Sequence, residues 1–305
     1  MASSVDTQWL GADGTSAPFF AAAGIAPSKD NWWSTPDQPK PRTLAGGPIP
    51  CDGGNRNVTN NFLHALVATL STGPVGFSDA LGYTNASLVR STCASDGLLL
   101  KPSLPLAAID RTFSVGSSGS ASSSVGPPVP AGGHVWATHT RVGSATYTEG
   151  IWYSVLAITV HSEWSLLRSD LWPPLGDDAD VIVWDWGDVS SASLVKANTS
   201  ELASLQTAPA PPLPAEPTAR PVFDYTYKLV APMLPTSGGW ALLGEPEKLT
   251  PVSEQRQWSF DLAEGFLLKL EGAVGENVTV AAWKGGQVHT HSTVIGDNGE
   301  GAIIF

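Results

Sequence analysis

The pattern of apolar positions changes its period near residue 96. Upstream of that point the spacing is helical, and the clearest stripe, with a period near 3.6 residues, comprises Phe62, Leu63, Leu66, Val67 and Leu70. A helix carrying this stripe is predicted to start with a cap at Asn57 and to run through Leu70. Further helices are predicted over residues 17–25 and from Thr84 or Asn85 onward, and residues 72–79 form a short buried strand with a terminal carboxylate.

Downstream of residue 97, short runs of β-branched and aromatic residues alternate with turn residues, as in an antiparallel sandwich. The predicted strands cover residues 98–100, 134–141, 151–161, 181–186, 223–230, 240–243, 258–262, 266–270 and 278–283. Two low-complexity stretches interrupt them: a Ser/Gly/Pro-rich exposed loop at 114–133 and a Pro-rich extended crossover or linker at 207–221. The chain is therefore predicted to be β-dominated, with an α/β portion at 1–96 and an all-β sandwich at 97–305.

The α/β portion is too short to be a complete domain of its kind. The order helix, strand with a terminal carboxylate, helix is typical of a βα barrel. In such a barrel the catalytic residues lie at the ends of the strands. Residues 1–96 hold only about two βα units, whereas a barrel has eight in about 250 residues. Taken alone, such a piece leaves an open sheet edge and an uncovered apolar face.

Charge and composition exclude some classes of function. The 305 residues carry a net charge of −12, which repels a phosphate backbone, so we expect no nucleic-acid partner. Twelve Trp residues suit either stacking on sugar rings or packing in a β-sandwich core. Residues 73–76 lack the spacing of a phosphate loop, and Ser71 and Ser78 lack a nucleophile elbow. No cofactor is therefore expected.

A metal site is not expected either. His289 and His291 lie on one face of a predicted strand and form a conceivable half-site. No third ligand is evident in the sequence, and the preferred interpretation is a pair of side chains on a solvent-exposed strand.

Sequons and cysteines indicate the secretory pathway. Four N-x-S/T sequons occur, at Asn57, Asn85, Asn198 and Asn277. Cys51 and Cys93 are compatible with one disulfide bridge or with two buried thiols. No signal peptide and no apolar stretch of about 20 residues is present. A missing N-terminal portion would reconcile a secreted or lumenal parent protein with the lack of a signal.

The candidate site residues are carboxylates near predicted strand ends. Glycosidic hydrolysis uses two carboxylates, one as acid and one as nucleophile or base. Asp79 is the best placed because Gly73 and Gly76 let the backbone turn tightly beside it, although a helix cap or loop-stabilising role is equally compatible. Asp30 adjoins Trp32 and Trp33, a potential stacking platform, but is also compatible with an ordinary turn. Asp6 lies close to Met1 and carries the weakest pattern.

Several segments in fixed order resemble the end of the catalytic barrel of the α-galactosidase and raffinose-synthase-like glycoside hydrolases. They are residues 27–35 (PSKDNWWST), 61–65 (NFLHA), 70–79 (LSTGPVGFSD), 82–85 (GYTN) and 96–102 (DGLLLKP). The resemblance spans about a third of the chain. Residues 239–253 (GWALLGEPEKLTPVS) resemble, less specifically, the C-terminal β-sandwich of the same proteins.

This resemblance implies that Asp30 and Asp79 contact a sugar at the ends of the seventh and eighth strands of a barrel. It also makes Asp6 a candidate acid/base carboxylate, although the Arg and second Asp that usually accompany it are missing. The nucleophile belongs to the fourth strand of such a barrel and is expected upstream of Met1. Without that carboxylate the retaining mechanism has no covalent partner.

Three functions remain open at this point. The first is the C-terminal part of a glycoside-hydrolase-like protein that acts on α-galactosides or related oligosaccharides and has little or no activity by itself. The second is a non-catalytic carbohydrate-binding or structural β-sandwich protein that retains a barrel remnant. The third is an active hydrolase that uses Asp6, Asp30 and Asp79 in a rearranged site. Each of these functions, except a purely structural role, predicts that the chain binds a carbohydrate.

Overall fold

The computed structural model describes residues 17–29, 31–36, 38, 60–111, 133–144, 147–161, 163–207, 224–234, 237–261 and 266–305. Three helices come first in these ranges: α1 Ala17–Ala22, α2 Asn61–Leu70 and α3 Ala86–Arg90. The strands that follow are β1 Ala107–Ala108, β2 His134–Ser144, β3 Tyr147–Ile158, β4 Ser165–Leu167, β5 Val181–Asp185, β6 Asp188–Val195, β7 Glu201–Ser204, β8 Tyr225–Pro232, β9 Trp240–Gly244, β10 Ser259–Asp261, β11 Leu267–Glu271, β12 Asn277–Lys284, β13 Gln287–Val294 and β14 Glu300–Ile304.

The strands form one large sheet and three small ones. The large sheet has the order β1-β2-β3-β8-β5-β6, and the two three-stranded sheets have the orders β13-β12-β9 and β10-β11-β14. β4 and β7 form a separate two-stranded ribbon. Every pairing between these strands is antiparallel. The prediction of a β-dominated, antiparallel chain is confirmed.

Both faces of the large sheet are buried. On one face Trp152 and Trp184 share a core with residues of the two three-stranded sheets, such as Leu242 and Phe266. On the other face Val155, Val183 and Val230 pack with Trp164 and with the ribbon residues Leu166 and Leu202. Alternation of side chains along each strand sends successive residues to the two cores. The three layers are therefore the ribbon, the large sheet and the pair of smaller sheets.

Helix α2 belongs to the first of these cores. Leu63, Leu66 and Leu70 are each fully buried, as the helical stripe predicts. Leu106, which follows the α/β portion, donates its backbone N–H to Leu70 O at 2.9 Å. The helix begins after Asn60, which has a left-handed φ of 67° and makes no side-chain cap. Asn57 lies outside the described residues.

The strand predictions differ from the structure where composition is not strand-like. Residues 98–100 make only an isolated bridge from Leu99 to Cys93, and residues 72–79 make one from Phe77 to Trp32. Strands β1, β4, β6, β7 and β14 were not predicted, and of β13 only the stretch around His289 and His291 was. Strand β6 contains three serines and occupies an edge of the large sheet, so its conformation comes from pairing with β5 and not from residue preference.

A buried ion network lies where the α/β portion meets the sheets. The Arg256 guanidinium donates to both oxygens of Glu245, at 2.7 and 2.8 Å, and to both oxygens of Glu276, at 2.8 and 2.9 Å. Glu276 Oε1 also accepts the backbone N–H of Ser95 at 3.0 Å. All three charged side chains are less than 10% exposed. A charged group from the sheets is thus tied to the backbone of the junction predicted from sequence.

Burial and ion pairing shift the pKa of a buried carboxylate in opposite directions, and the balance differs between Glu245 and Glu276. Burial raises the pKa of Glu245, and Arg256 only partly offsets it. Burial opposes ionisation of Glu276 as well, but Arg256 and the amides of Ser95 and Ala273 hold its pKa below the usual range. Of the two carboxylates, Glu276 is the one more firmly ionised.

A second set of contacts reinforces the same junction. Lys248 donates its ammonium to the carbonyls of Arg90 and Cys93, at 2.9 and 2.6 Å, and so caps the end of α3. Leu249 donates its N–H to Ser91 O at 2.8 Å. Cations at the C-terminal end of a helix satisfy its last carbonyls and interact favourably with its dipole. The loop after β9 therefore completes helix α3.

Candidate functional site

Two segments of the α/β portion lie side by side in parallel. Trp32 donates its N–H to Gly76 O at 3.3 Å, and Ser78 donates its N–H to Trp32 O at 2.9 Å. This bridge between Trp32 and Phe77 is parallel, in contrast to the antiparallel pairing between the named strands. Helix α2 lies between the two segments in sequence. Two extended segments bridged in parallel, with a helix between them in sequence, are compatible with a βα unit. Their origin from a barrel stays a prediction.

Glycine 73 allows the two segments to approach closely. A Cβ at this position would lie 2.2 Å from Pro27 O and 2.9 Å from the Cβ of Ser28. Ser28 also donates its hydroxyl to Pro74 O at 2.8 Å. A larger residue at position 73 would force the backbones apart. The close packing of residues 27–28 against residue 73 therefore depends on the absence of a side chain at position 73.

The carboxylate of Asp79 binds the loop that follows Trp33. Oδ1 accepts the N–H of Ser34 at 2.8 Å and the Nε2–H of Gln38 at 3.0 Å, and Oδ2 accepts the Ser34 hydroxyl at 2.5 Å. The Ser34 Oγ in turn accepts the N–H of Asn85 at 2.7 Å. A carboxylate has about four acceptor positions. Within the described residues Asp79 thus uses three of them, and one on Oδ2 remains.

Gln38 holds the other side of the same cluster. Its Oε1 accepts the N–H of Ala80 at 2.8 Å, and its Nε2 also donates to Thr35 Oγ1 at 2.7 Å. Gln38 and Ser34 are both buried. The sequence analysis did not identify either residue. Ser34 stood within a recognised segment but in no chemical motif, and Gln38 stood in a polar, Pro-rich stretch with no periodic signal.

The two tryptophans of the candidate platform differ in exposure. Trp32 is 4% exposed and belongs to the main core, with its ring centroid 6.5 Å from that of Phe77. Trp33 is half-buried, and its carbonyl accepts a hydrogen bond from Asn61 Nδ2 at 2.7 Å. Trp32 is therefore a packing residue, and stacking of a sugar on Trp33 stays a prediction.

Four residues named from the sequence lie outside the described ranges: Asp6, Asp30, Cys51 and Asn57. The predictions for Asp6 as acid/base and Asp30 as a sugar contact stay predictions. Cys93 is half-buried, and its thiol lies 3.6 Å from Val89 O. Its pairing with Cys51 likewise stays a prediction.

Three sequons are described, and the asparagine of each is exposed. Asn85 caps helix α3, since its Oδ1 accepts the N–H of Leu88 at 3.1 Å. Asn198 lies in a turn after β6 with a left-handed φ of 64°. Asn277 is the first residue of β12. Each asparagine is thus sterically open for a glycan, and their modification stays a prediction.

The two histidines of β13 pack against aromatic rings. His289 lies edge-on to Trp240, with ring centroids 5.2 Å apart, and His291 lies edge-on to Phe305 at 5.0 Å. Within the described residues, no cluster of three or more His, Cys, Asp or Glu side chains suits a metal ion. None of the described helices is both long enough and apolar enough to cross a bilayer.

Comparison with known proteins does not assign this arrangement. No model of a known protein family matches the chain, and a search of curated proteins gave no match.

Proposed function

We propose that this chain forms the end of a catalytic barrel and the following sandwich of a glycoside-hydrolase-like protein that acts on α-galactosides or related oligosaccharides. The observation that supports it best is the parallel pairing of Trp32 with Phe77, with Asp79 directly after the second segment. In a βα barrel, residues at the carboxyl ends of adjacent parallel strands face the same active site. Asp79 lies at the carboxyl end of the second segment. Asp30 precedes the first segment in sequence and lies outside the described residues, so its proposed sugar contact draws no support from this pairing.

Asp79 in this proposal binds sugar and does not react with it. Ser34 and Gln38 fix the carboxylate from one side, and the acceptor position on Oδ2 that no described residue occupies takes a sugar hydroxyl in this proposal. A carboxylate held by buried donors needs little reorganisation on binding. Trp33 supplies the adjoining aromatic surface. Catalysis needs a second carboxylate in the role of nucleophile, and Asp6 is proposed only as the acid/base, so this chain by itself is proposed to lack turnover.

A specific observation favours the alternative, a non-catalytic carbohydrate-binding or structural β-sandwich protein. Three of the four acceptor positions of Asp79 serve the chain itself, and Trp32 is buried. This is the geometry of a residue that stabilises a loop. The two functions differ in whether a galactoside competes for the last acceptor position.

The deciding experiment is a calorimetric titration of the chain with galactose and raffinose. Asp79→Asn keeps the side-chain shape but removes an acceptor oxygen, so the proposal expects at least a tenfold loss of affinity. Asp297→Asn is the matched control, because Asp297 is an exposed carboxylate between β13 and β14. Equal affinity in wild type and Asp79→Asn, or no binding in the wild type, would favour the alternative.

Activity is measured in parallel with an aryl α-galactoside. The proposal expects no detectable hydrolysis by this chain. Hydrolysis that disappears in Asp6→Asn and persists in Asp297→Asn would instead support the third function, an active hydrolase with a rearranged site. Near-ultraviolet circular dichroism of each variant shows whether the fold is retained.

A further inference from the structure

A small cavity, lined mostly by buried residues and not fully closed, lies between the large sheet and the segment after β9. Its volume is about 10 Å³, which is at the lower limit for one water molecule. Residues of five strands and of the loop after β9 line it, and they include Thr140, Trp152, Ser154, Trp184, Leu243 and Thr250. Thr140 and Trp152 are directly opposite in the pairing of β2 with β3 and so point to the same face.

Thr250 brings an unsatisfied polar group to this cavity. The residue is 1% exposed, and its hydroxyl has no hydrogen-bond partner within the described part of the chain. A buried hydroxyl without a partner costs about 1–3 kcal/mol. Such groups in native proteins are generally satisfied by protein or by ordered water.

The backbone around Thr250 is fixed, so the hydroxyl cannot turn out to solvent by a small shift. Leu249 O accepts the Tyr227 hydroxyl at 2.7 Å, and Pro251 O accepts the N–H of Glu245 at 2.8 Å. Gly244 packs so closely here that a Cβ would lie 2.2 Å from Pro251 O. Both neighbours of Thr250 are therefore anchored.

The cavity also offers further polar partners. Ser154 Oγ lies 3.1 Å from the Tyr227 hydroxyl, and Tyr227 already donates to Leu249 O, so Ser154 acts as donor to Tyr227. That leaves acceptor lone pairs on Ser154, and Thr140 contributes another hydroxyl. A buried water needs two to four polar partners. Three hydroxyls from three elements provide them.

We propose that the cavity is a binding site for one buried water molecule, which satisfies Thr250 and joins the large sheet to the segment after β9. The water accepts from or donates to the Thr250 hydroxyl and bridges to the hydroxyls of Thr140 and Ser154. It is an integral part of the core and adds to the hydrogen bonds by which Tyr227 of the large sheet and Trp186 hold the segment after β9.

The test is the sign of the stability change in Thr250→Val, a replacement of nearly equal shape. If the water is present, the variant loses its hydrogen bond, and the unfolding equilibrium constant rises about three- to tenfold. If the cavity is dry, removal of an unsatisfied hydroxyl leaves stability unchanged or increased. Unchanged or increased stability would overturn the proposal.

Thr69→Val is the matched control for loss of a satisfied buried hydroxyl. Thr69 is fully buried in α2, and its hydroxyl donates to Ala65 O at 2.8 Å. The free energy of unfolding of this variant should be lower than that of the wild type, as is expected for Thr250→Val. Water-to-amide magnetisation transfer in the folded protein provides the second measurement. A long-lived water near the amide of Thr250, absent in Thr250→Val, supports the site, and its absence from the wild type contradicts it.

Discussion

The ring of Phe62 lies 4.6 Å, centroid to centroid, from the ring of Trp186. Phe62 is the second residue of helix α2 in the α/β portion, and Trp186 directly follows β5 of the large sheet. Trp186 is fixed in turn, because its indole N–H donates to Lys248 O at 2.7 Å. The aromatic contact joins helix α2 to the large sheet, and the hydrogen bond of Trp186 joins the sheet to the loop that caps α3. Helix α2 is therefore part of the sandwich core.

Leu66→Ala should therefore destabilise the whole chain and not the α/β portion alone. Leu66 is fully buried in the core shared with the sheets, and such a truncation costs about 2–5 kcal/mol. Denaturant unfolding followed by tryptophan fluorescence should show one transition with a lower midpoint. Leu81→Ala, at a fully exposed leucine, is the control and should change stability by less than about 0.5 kcal/mol. A separate early transition in Leu66→Ala would show that residues 1–96 unfold on their own.

Arg256→Met should be strongly destabilising at neutral pH. The change leaves Glu245 and Glu276 buried without their shared cation, which costs about 3–5 kcal/mol. Without the guanidinium both carboxyls protonate more readily, so the loss should shrink as the pH is lowered toward 5. Unfolding midpoints at pH 7 and pH 5 measure this difference. Arg90→Met, at an exposed arginine of α3, controls for loss of a positive charge. A deficit that does not depend on pH would contradict the role of the two carboxylates.

His134 should make the fold sensitive to acid. The residue is buried, and burial lowers its pKa from 6.5 to about 4. The unfolded chain therefore takes up the proton first as the pH falls. The contribution of His134 to the free energy of unfolding is fully present above pH 6.5. It is lost between pH 6.5 and pH 4 and amounts to at most about 3 kcal/mol. His134→Leu should flatten the pH dependence in that window, measured as the free energy of unfolding. His291→Gln, at an exposed histidine, should keep the wild-type slope.

Apolar side chains on the surface of the α/β portion should bind a hydrophobic dye. Phe19 is 78% exposed and Leu81 is fully exposed, and Phe77 is 45% exposed. Contiguous apolar surface is unusual on a soluble monomer, and dye binding tests whether these side chains form such a patch. The wild type should increase the fluorescence of an anilinonaphthalene dye, and the pair Phe19→Ser and Leu81→Ser should reduce it. Trp172→Ser removes an equally exposed ring, 70% accessible, between β4 and β5, and should have little effect. A dye-silent wild type would contradict the prediction.

The parts of the fold predictable from sequence are those in which residue preference and burial agree. The stripe of α2 and the apolar strands β5, β9 and β12 have both, and each was predicted close to its observed bounds. In β6 and β13 residue preference and burial do not agree, because serines, threonines and histidines occupy much of these strands. They are kept extended by pairing, β6 with β5 and β13 with β12. Similarly, Asp79 was recognisable from its turn, whereas Ser34 and Gln38 reach it across more than forty residues of sequence. Such long-range partners leave no local pattern.

The hydrogen bond between Ser95 and Glu276 has a consequence for how this chain is able to evolve. A β-sandwich that can be shuffled between genes must satisfy its own buried charges. Here Glu276 takes a donor from the backbone of residue 95, at 3.0 Å, and the sheets also contribute Lys248 to finish helix α3. A recombination breakpoint at the junction would remove these donors and acceptors together. The sandwich and the segment before it are therefore expected to be inherited as one unit, even though a change of sequence pattern separates them.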